Sequence, residues 1–274
     1  MSISKKTIHN LINATKEELK PYLQKLDFEK ISKHNKGYLK YSLDPAKYFI
    51  DMEFLRYANT ILYISNNFSI GSDILDFGFF IPVIPIILSK LGYHVTSIEK
   101  LSYYDGCLNE LINFAKKYSI EVVDFDLIKS ATIQIKKKFS LVLLQAVLEH
   151  LNGSPKVLLQ KIKSFLNADG YIIVEVPNVG TLTNRLSFLF RGKPPYPDYK
   201  DYFNSDYPFS GHNREYTIND LIFALQSSSY EIKELRSFFQ SNIKPKKILK
   251  LLSLLEKFGP VSWRPTLWAV AKQL

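Results

Sequence analysis

The sequence predicts an α/β fold with a doubly wound, mostly parallel sheet of seven strands, preceded by an N-terminal helical segment. Two observations favour this fold class. From about residue 73 onward, short runs rich in Ile, Val and Leu alternate with amphipathic stretches of helical length, and such alternation is typical of right-handed βαβ units. The apolar runs are also too continuous for strands with one solvated face, which indicates a sheet covered on both sides.

Seven short apolar runs supply the strands of this predicted sheet. The five candidates for parallel strands are DILDF (73–77), HVTSIE (94–99), IEVVDF (120–125), FSLVLLQ (139–145) and GYIIVEVP (170–177). The two candidates for closing strands are YEIKELRSFF (230–239) and TLWAVAKQL (266–274). Their β-branched and aromatic residues favour strands. Helices are predicted between the parallel strands, at about 82–91, 103–117 and 154–166.

The first 70 residues are predicted to be a helical segment in front of the sheet domain. Apolar residues recur at helical spacing from about residue 8 to 31 and again from about 45 to 66. Gly37 and Pro45 mark the loop between these stretches. The predicted division of the chain is therefore 1–70 and 71–274.

The composition indicates a globular chain that attracts anionic partners. Lys and Arg total 36 against 26 Asp and Glu, which gives a formal net charge of +10. A positive field favours phosphates, nucleotides, nucleic acid or acidic membrane without choosing among them. One cysteine, Cys107, excludes an internal disulfide framework and is typical of a reducing cytoplasm. The N-terminus lacks a signal-peptide core, and no stretch approaches the ~18 apolar residues of a membrane span, so we expect a cytoplasmic location.

The end of the first predicted strand, DFGFFIP (76–82), is the expected ligand site. Ligands of doubly wound sheets bind outside the carboxyl ends of the strands. Glu99 ends the second strand 23 positions after Asp76, a spacing at which a carboxylate accepts hydrogen bonds from the ribose of a nucleoside cofactor. Asp126 follows the third strand and is placed to meet the adenine edge. Each carboxylate taken alone is more often a solvated strand end than a ligand.

Three blocks in the second half of the chain resemble a known family. The blocks are FSLVLLQAVLEHL (139–151), KSFLNADGYIIVEVPN (163–178) and GHNREYTINDLIFAL (211–225). They are similar to segments of the class I S-adenosylmethionine-dependent methyltransferases that read approximately EVLEH, LKPGG, PN and GHVREYT. The similar branch contains the ubiquinone-type O-methyltransferases and many small-molecule and glycan methyltransferases. The resemblance runs from about residue 73 to the C-terminus with the order and spacing of the blocks kept, and it implies a Rossmann-like methyltransferase fold.

The resemblance also implies that the chain binds S-adenosylmethionine at the loop and at the strand ends. In this chain the implied cofactor-binding residues are Asp76, Gly78, Phe80, Glu99, Asp126 and Gln145. Glu99 holds the ribose and Asp126 reaches the adenine in this assignment. Gln145 lines the pocket near the sulfonium.

The loop departs from the family pattern at two positions. Phe80 and Pro82 stand where the family has glycine. Those glycines let the backbone approach the methionine part of the cofactor, and Pro82 also removes one N–H donor. Three interpretations remain: a rearranged loop that still binds the cofactor, a closed pocket in a non-catalytic binding module, and the common pattern of parallel sheets without kinship.

Catalytic residues are expected directly after the fourth strand and in GHNREYT. A hydroxyl acceptor has to lose its proton, and a histidine or a bound metal assists that step. The predicted catalytic residues are Glu149, His150 and His212. Resemblance to small-RNA 2′-hydroxyl methyltransferases implies that the same three residues hold a divalent metal, with Ala146 at the position of a fourth ligand. The alternative is that Glu149 pairs near the next helix and that His150 is a structural histidine.

A lid insertion is predicted at about 181–211, because this connection is long and rich in aromatic residues. Aromatic rings stack on sugars or aromatic acceptors, and arginines bind phosphates. The predicted acceptor-binding residues are Arg185, Tyr196, Tyr199 and Tyr202 in the insertion and Arg214 and Tyr216 after it. For any single tyrosine, the alternative is that its ring covers the core.

The segment KPKKILKLLSLLEKF (244–258) is basic and amphipathic. Some segments of this kind lie on an anionic membrane. More often the Leu face packs on the core and the lysines face water, and this is the arrangement that we expect.

The predicted function is methyl transfer from S-adenosylmethionine to an oxygen of a small molecule or of a glycan- or nucleotide-linked precursor. An anionic acceptor suits the positive field. The first alternative is a non-catalytic, methyltransferase-like binding module, which the replaced glycines favour. The second alternative is an RNA methyltransferase, which requires a continuous basic stripe leading to the site.

Overall fold

A sheet of seven strands forms the centre of the computed structural model, which describes residues 3–32, 41–126, 135–192, 199–204, 209, 211–239 and 254–274. The strands are β1 Asp73–Phe77, β2 His94–Glu99, β3 Glu121–Asp124, β4 Phe139–Gln145, β5 Leu166–Pro177, β6 Tyr230–Phe238 and β7 Thr266–Gln273. Their order in the sheet is β3-β2-β1-β4-β5-β7-β6, and β7 runs antiparallel to both of its neighbours. The predicted α/β fold with a mostly parallel, seven-stranded sheet is confirmed.

Helices flank the sheet, with bounds that differ in places from the predicted ones. Those in the described residues are α1 Lys5–Leu23, α2 Phe28–Ser32, α3 Phe54–Asn67, α4 Val83–Lys90, α5 Asn109–Lys116, α6 Pro155–Ile162, α7 Leu182–Arg191, α8 Tyr199–Phe203 and α9 Ile218–Ser227. The helix predicted at 103–117 begins later, because a short 3-10 turn and Asp105, with a positive φ of 49°, precede it. The helix predicted at 154–166 ends at Ile162, because β5 already begins at Leu166.

Both faces of the sheet are buried, which explains the continuous apolar runs in the sequence. In β4, Leu141 and Leu143 belong to the core on the side of the N-terminal helices and α4. Val142 and Leu144 belong to the core on the side of α6 and α9. Every residue from 141 to 144 is therefore buried although successive side chains point to opposite faces.

The N-terminal helices share a hydrophobic core with the sheet. Ile12 of α1 is fully buried in the same cluster as the strand and α4 side chains. Ion pairs join these elements, since Lys90 Nζ lies 2.8 Å from Glu18 and Lys16 Nζ lies 2.6 Å from Asp51. A separate hydrogen bond, from the Gln145 side chain of β4 to the Thr60 hydroxyl, joins α3 to the carboxyl end of β4.

A capping box fixes the start of α9, directly after GHNREYT. The Thr217 hydroxyl accepts a hydrogen bond from the Asp220 N–H at 3.2 Å, and the Asp220 carboxylate accepts one from the Thr217 N–H at 2.9 Å. The predicted N-cap is present, with aspartate where glutamate is more usual. This cap fixes the point at which the chain leaves the predicted catalytic corner.

Candidate functional site

Predicted cofactor-binding residues lie at the carboxyl ends of the neighbouring strands β1, β2 and β4. Asp76 of β1 is buried, and its carboxylate accepts one long hydrogen bond, 3.4 Å, from the Ser97 hydroxyl of β2. Burial raises the pKa of Asp76 to about 7 despite this hydrogen bond. Asp76 is therefore a weakly solvated carboxyl group beneath the loop.

The loop after β1 is tied to Glu99 through its backbone. Gly78 has a φ of +99°, which favours glycine, and its N–H donates to the Ile98 carbonyl at 2.9 Å. One oxygen of the half-buried Glu99 carboxylate accepts the Phe80 N–H at 3.2 Å, and the other accepts the Lys100 N–H at 2.8 Å. A carboxylate has about four acceptor positions, so Glu99 retains acceptor capacity for ligand hydroxyls. Burial raises the pKa of Glu99 to about 7.

The Phe80 ring packs between two other rings. It stacks on Tyr104, with centroids 5.3 Å apart and planes inclined by 18°, and it meets the edge of Phe49 at 5.2 Å. Phe49 belongs to the N-terminal segment, whereas Tyr104 follows β2. The loop therefore differs in its packing from a glycine loop, because an aromatic side chain joins it to both neighbours.

Asp126 pairs with a lysine beside the same strand end. Lys100 Nζ lies 2.8 Å from the Asp126 carboxylate and 3.7 Å from the centroid of the Tyr103 ring. Asp124, at the end of β3, accepts the Leu101 N–H at 3.0 Å. The charge of Asp126 is thus partly compensated by Lys100.

Gln145 is held against α3. Its Nε2 donates to the Thr60 hydroxyl at 2.7 Å, and Trp268 Nε1 of β7 donates to the same oxygen at 3.2 Å. The side-chain carbonyl oxygen of Gln145 is buried and has no hydrogen-bond partner. The Gln145 side chain therefore carries a buried hydrogen-bond acceptor at the end of β4, next to α3.

A charge cluster, formed by the buried Glu175 and the half-buried Arg56 and Glu53, lies next to Gln145. Glu175 of β5 is opposite Gln145 in the parallel pairing of β4 and β5. The guanidinium of Arg56 lies 3.3 Å from Glu175 and 3.3 Å from Glu53. Burial raises the pKa of Glu175 to about 8, although the Arg56 charge lowers it. α3 thus contributes a cation to an otherwise acidic region.

The three predicted catalytic residues come together. The His150 and His212 rings meet edge to face with centroids 4.9 Å apart. Possible ligand atoms of Glu149, His150 and His212 all lie within 4.8 Å of one another. The Glu149 side chain is buried, and one of its oxygens has no hydrogen-bond partner. Burial raises the pKa of Glu149 to about 7, and the nearby His212 lowers it.

Backbone hydrogen bonds hold GHNREYT against the turn after β4. The Asn213 N–H donates to the Glu149 carbonyl at 2.7 Å, and the Asn213 side-chain amide donates to the His150 carbonyl at 3.1 Å. His150 Nδ1 lies 3.1 Å from the Gly211 carbonyl, and His212 Nδ1 lies 3.2 Å from Glu215. A neutral imidazole that donates through Nδ1 carries its lone pair on Nε2, which suits a base or a metal ligand.

In the described residues, the predicted acceptor-binding residues Tyr202, Arg185 and Arg214 contact residues close to them in the chain. Tyr199 and Tyr202 of α8 are exposed, and Tyr202 meets the Phe209 ring at 5.2 Å. Arg185 donates to the Gly180 carbonyl at 2.8 Å, and the exposed Arg214 lies 3.4 Å from Asp220. Tyr196 lies outside the described residues.

Tyr216 joins neighbouring segments of the chain and is not exposed to solvent. It is buried, and its hydroxyl donates to the Leu148 carbonyl at 3.4 Å. Burial raises its pKa to about 12. Its backbone also bridges Asn178 at the end of β5.

Sequence reasoning missed the contribution of α3 to this region. Arg56 and Thr60 were assigned only to a helix pattern, because the polar residues of an amphipathic helix are normally solvated. The sequence does indicate that Glu175 is a buried charge, since it lies inside the apolar run GYIIVEVP. A buried carboxylate requires a partner, but the sequence does not indicate which cation supplies it.

No family model matches the sequence, and no curated protein is similar to it. Solved structures, however, share its fold. The magnesium protoporphyrin IX methyltransferase of Synechocystis, solved with bound SAH, is 12% identical with a TM-score of 0.56, over 89% of this chain and 96% of that one. The 1,6-didemethyltoxoflavin-N1-methyltransferase of Burkholderia thailandensis is 15% identical with a TM-score of 0.54, over 87% of this chain and 86% of that one.

A third similar structure is a SAM-dependent methyltransferase from Archaeoglobus fulgidus. It is 19% identical with a TM-score of 0.53, over 85% of this chain and all of that one. At these identities the likeness concerns the fold. The chain has the fold of the class I S-adenosylmethionine-dependent methyltransferases, as the sequence blocks predicted.

Proposed function

We propose that this chain is an S-adenosylmethionine-dependent methyltransferase that modifies an oxygen of a small molecule or of a glycan- or nucleotide-linked precursor. The observation that carries the proposal is the position of Glu99. It ends β2 of a methyltransferase-type sheet, is half-buried, and is aligned by two backbone N–H groups, one of them from the loop after β1. This is where such folds hold the ribose of a nucleoside ligand.

The proposed cofactor site uses the loop and the strand ends. When bound, S-adenosylmethionine supplies a methyl group on a positively charged sulfur. Glu99 accepts hydrogen bonds from the ribose, while Asp126 lies towards the adenine. Gln145, with its unpartnered carbonyl oxygen, and the buried Asp76 place partial or full negative charge near the cationic part of the cofactor. The enzyme otherwise needs to align the acceptor and to exclude water.

The proposed acceptor side is the corner formed by Glu149, His150 and His212. A hydroxyl nucleophile becomes stronger when its proton is removed. His150 and His212 each place Nδ1 next to an oxygen of the protein, which orients Nε2 to accept that proton. Glu149 is buried beside His212 and His150, and its possible ligand atoms lie within 4.8 Å of theirs.

Two similar structures and the net charge support the proposed acceptor class. The names of two similar structures specify small molecules, magnesium protoporphyrin IX and 1,6-didemethyltoxoflavin, as what those proteins act on. The net charge of +10 supports an anionic acceptor.

Titration calorimetry with S-adenosylmethionine and with S-adenosylhomocysteine tests the cofactor site. We expect micromolar binding, weakened at least about tenfold by Glu99→Ala because two charge-assisted hydrogen bonds to the ribose are lost. Glu231→Ala, at an exposed position of β6, is the matched control and should bind like the parent protein. Absence of binding at millimolar cofactor by the parent protein contradicts the proposal.

A non-catalytic binding module is the second candidate, and the packing of Phe80 favours it. The ring lies between Tyr104 and Phe49, at a position where the family has glycine. Phe80→Gly separates the candidates. If the rings close the site, the parent protein does not bind the cofactor and the variant does. If the loop can bind the cofactor as it stands, the parent protein binds S-adenosylmethionine and Phe80→Gly changes that affinity less than about tenfold.

A divalent metal at Glu149, His150 and His212 is a further proposal for the acceptor corner. Two imidazoles and a carboxylate fit such an ion, and three protein ligands leave positions for the acceptor and water. A bound ion would lower the pKa of an acceptor hydroxyl. Titration with Mn²⁺ followed by electron paramagnetic resonance tests this set. We expect His150→Ala to abolish binding and His94→Ala, an exposed histidine on β2, to leave it unchanged.

A further inference from the structure

Exposed apolar side chains concentrate in three segments of the second half of the chain. Ten of the sixteen exposed large hydrophobic residues in the described chain lie in α7, in α8 or at 254–261. Six of them form what we call the apolar face: Phe188, Leu189, Phe190, Leu254, Leu255 and Phe258. Exposed hydrophobic residues that stand singly are normal, but a group of this size marks an interaction surface.

The two elements that carry the apolar face are joined to each other. The backbone N–H and the hydroxyl of Thr183 in α7 donate to one oxygen of Glu256, at 3.1 and 2.8 Å. The Glu256 side chain is buried in this contact. Near the start of α7, Asn178 also donates to the Ser262 carbonyl at 2.8 Å. The helical turn at 254–258 and the first turn of α7 are therefore fixed together.

The second half of α7 is uncovered on most of its circumference. Phe188, Leu189 and Phe190 are 61, 73 and 79% exposed. Three successive helical residues span about 200° around the axis, so rotation of the helix cannot bury all three on the sheet domain. No residue of α7 is buried. An extended apolar surface, rather than a groove of this molecule, is needed to cover them.

The exposed charged residues that the structure describes in α7 and in the turn at 254–258 are all basic. α7 carries Arg185 and Arg191 and has no acidic residue. In the turn at 254–258, Lys257 is exposed, whereas the only acid, Glu256, is buried against Thr183. The sequence just before this turn, KPKKILK at 244–250, has four further lysines and lies outside the described residues. Apolar side chains beside unopposed cations complement an anionic lipid surface.

We propose that the apolar face docks on an anionic membrane surface. Phe188, Leu189 and Phe190 enter the boundary between headgroups and acyl chains, while Arg185, Arg191 and Lys257 meet the lipid phosphates. The contact is peripheral, since no helix in the described ranges is long and apolar enough to cross a bilayer. The expectation that the Leu face of 244–258 packs on the core fails for its described part, because Leu254, Leu255 and Phe258 are 43, 47 and 80% exposed.

Sedimentation of the full chain with lipid vesicles, without cofactor, tests this surface independently of the proposed function. Vesicles of phosphatidylcholine alone are compared with vesicles that contain roughly 30% phosphatidylglycerol. We expect at least about tenfold stronger binding to the anionic vesicles, and weaker binding at high salt. The double variant Phe188→Ser, Leu189→Ser should lower that binding about tenfold. Phe223→Ser, at a 72% exposed phenylalanine of α9 outside the apolar face, is the matched control.

Several results overturn the proposal. One is absence of binding to anionic vesicles, and another is equal binding to both vesicle types. An equal loss in the Phe223→Ser control also overturns it. Sedimentation velocity tests for self-association: a dimer that the Phe188→Ser, Leu189→Ser variant dissociates would assign the apolar face to a second copy of the chain. RNA titration tests the other occupant: tight RNA binding without vesicle binding would assign the apolar face to RNA.

Discussion

Glu99 and Glu175 end or nearly end two strands of one sheet, yet their surroundings differ. Glu99 is half-buried, and each of its oxygens accepts a backbone N–H. Glu175 is fully buried, and it lies 3.3 Å from the guanidinium of Arg56 in a contact that lacks hydrogen-bond geometry. Backbone donors align a carboxylate and still leave it open to a ligand. The charge of Glu175 is instead balanced by the single cation of Arg56, so the state of this carboxylate depends on how α3 packs.

The comparison indicates separate roles for the two carboxylates. The proposed role of Glu99 is ligand binding, since its carboxylate is oriented and partly accessible. Glu175 belongs to stability and its pH dependence, since burial raises its pKa to about 8. The following predictions change one carboxylate or its partner while leaving the other in place.

Arg56→Met should have the largest effect on stability. It removes the cation from Glu175 and Glu53, and breaking a buried pair typically costs about 3–5 kcal/mol. The loss should be larger at pH 8.5 than at pH 6, because Glu175 can protonate at the lower pH. Urea unfolding monitored by circular dichroism at both pH values measures this loss of unfolding free energy. Lys233→Met, in an exposed pair with Glu231, is the control and should change the unfolding free energy by less than about 1 kcal/mol.

Stability should fall as the pH rises from about 5 to 8. The folded-state pKa of Glu175, about 8, lies above its ordinary value of 4.5. The folded state therefore binds more protons than the unfolded state in this window, and stability decreases through it. Asp76 and Glu149 act in the same direction. Glu175→Gln should flatten the decrease by roughly 1–3 kcal/mol, and an unchanged slope would show that Glu175 is not the titrating group.

Glu99→Gln should weaken cofactor binding about tenfold, because an amide keeps one acceptor oxygen and loses the charge. Glu175→Gln should leave the affinity within about twofold, because Glu175 does not face the proposed ribose position. Titration calorimetry of both variants measures this difference. Equal losses would mean that the two carboxylates act in one site.

Tyr216→Phe should have the smallest effect. It removes one hydrogen bond of 3.4 Å to the Leu148 carbonyl, and the expected loss of stability is about 1 kcal/mol or less. Cofactor affinity should not change. A large loss of methyl transfer with normal cofactor binding would instead place Tyr216 at the acceptor, as the sequence analysis had assigned it.

The sequence predicted the sheet well and the site only in part. Strand positions followed from apolar runs, because both sheet faces are buried and each strand needs Ile, Val and Leu at successive positions. The juxtaposition of Glu149, His150 and His212 was predicted through the resemblance of two blocks, although His150 and His212 are 62 positions apart in the chain. Arg56 and Thr60 were not predicted, because their helix pattern is the same whether they face water or the strand ends.

The sequence by itself determined the fold class, the positions of the strands and the residue types at the strand ends, since these depend on local patterns of apolar residues. Only the tertiary structure decided which charges meet. The pairing of Glu175 with Arg56, the stacking of Phe80 on Tyr104 and the exposure of Phe188 to Phe190 depend on how α3, the loop and α7 pack. The physical reason is that burial and electrostatic partners are properties of three-dimensional neighbours, many of them far apart in the chain.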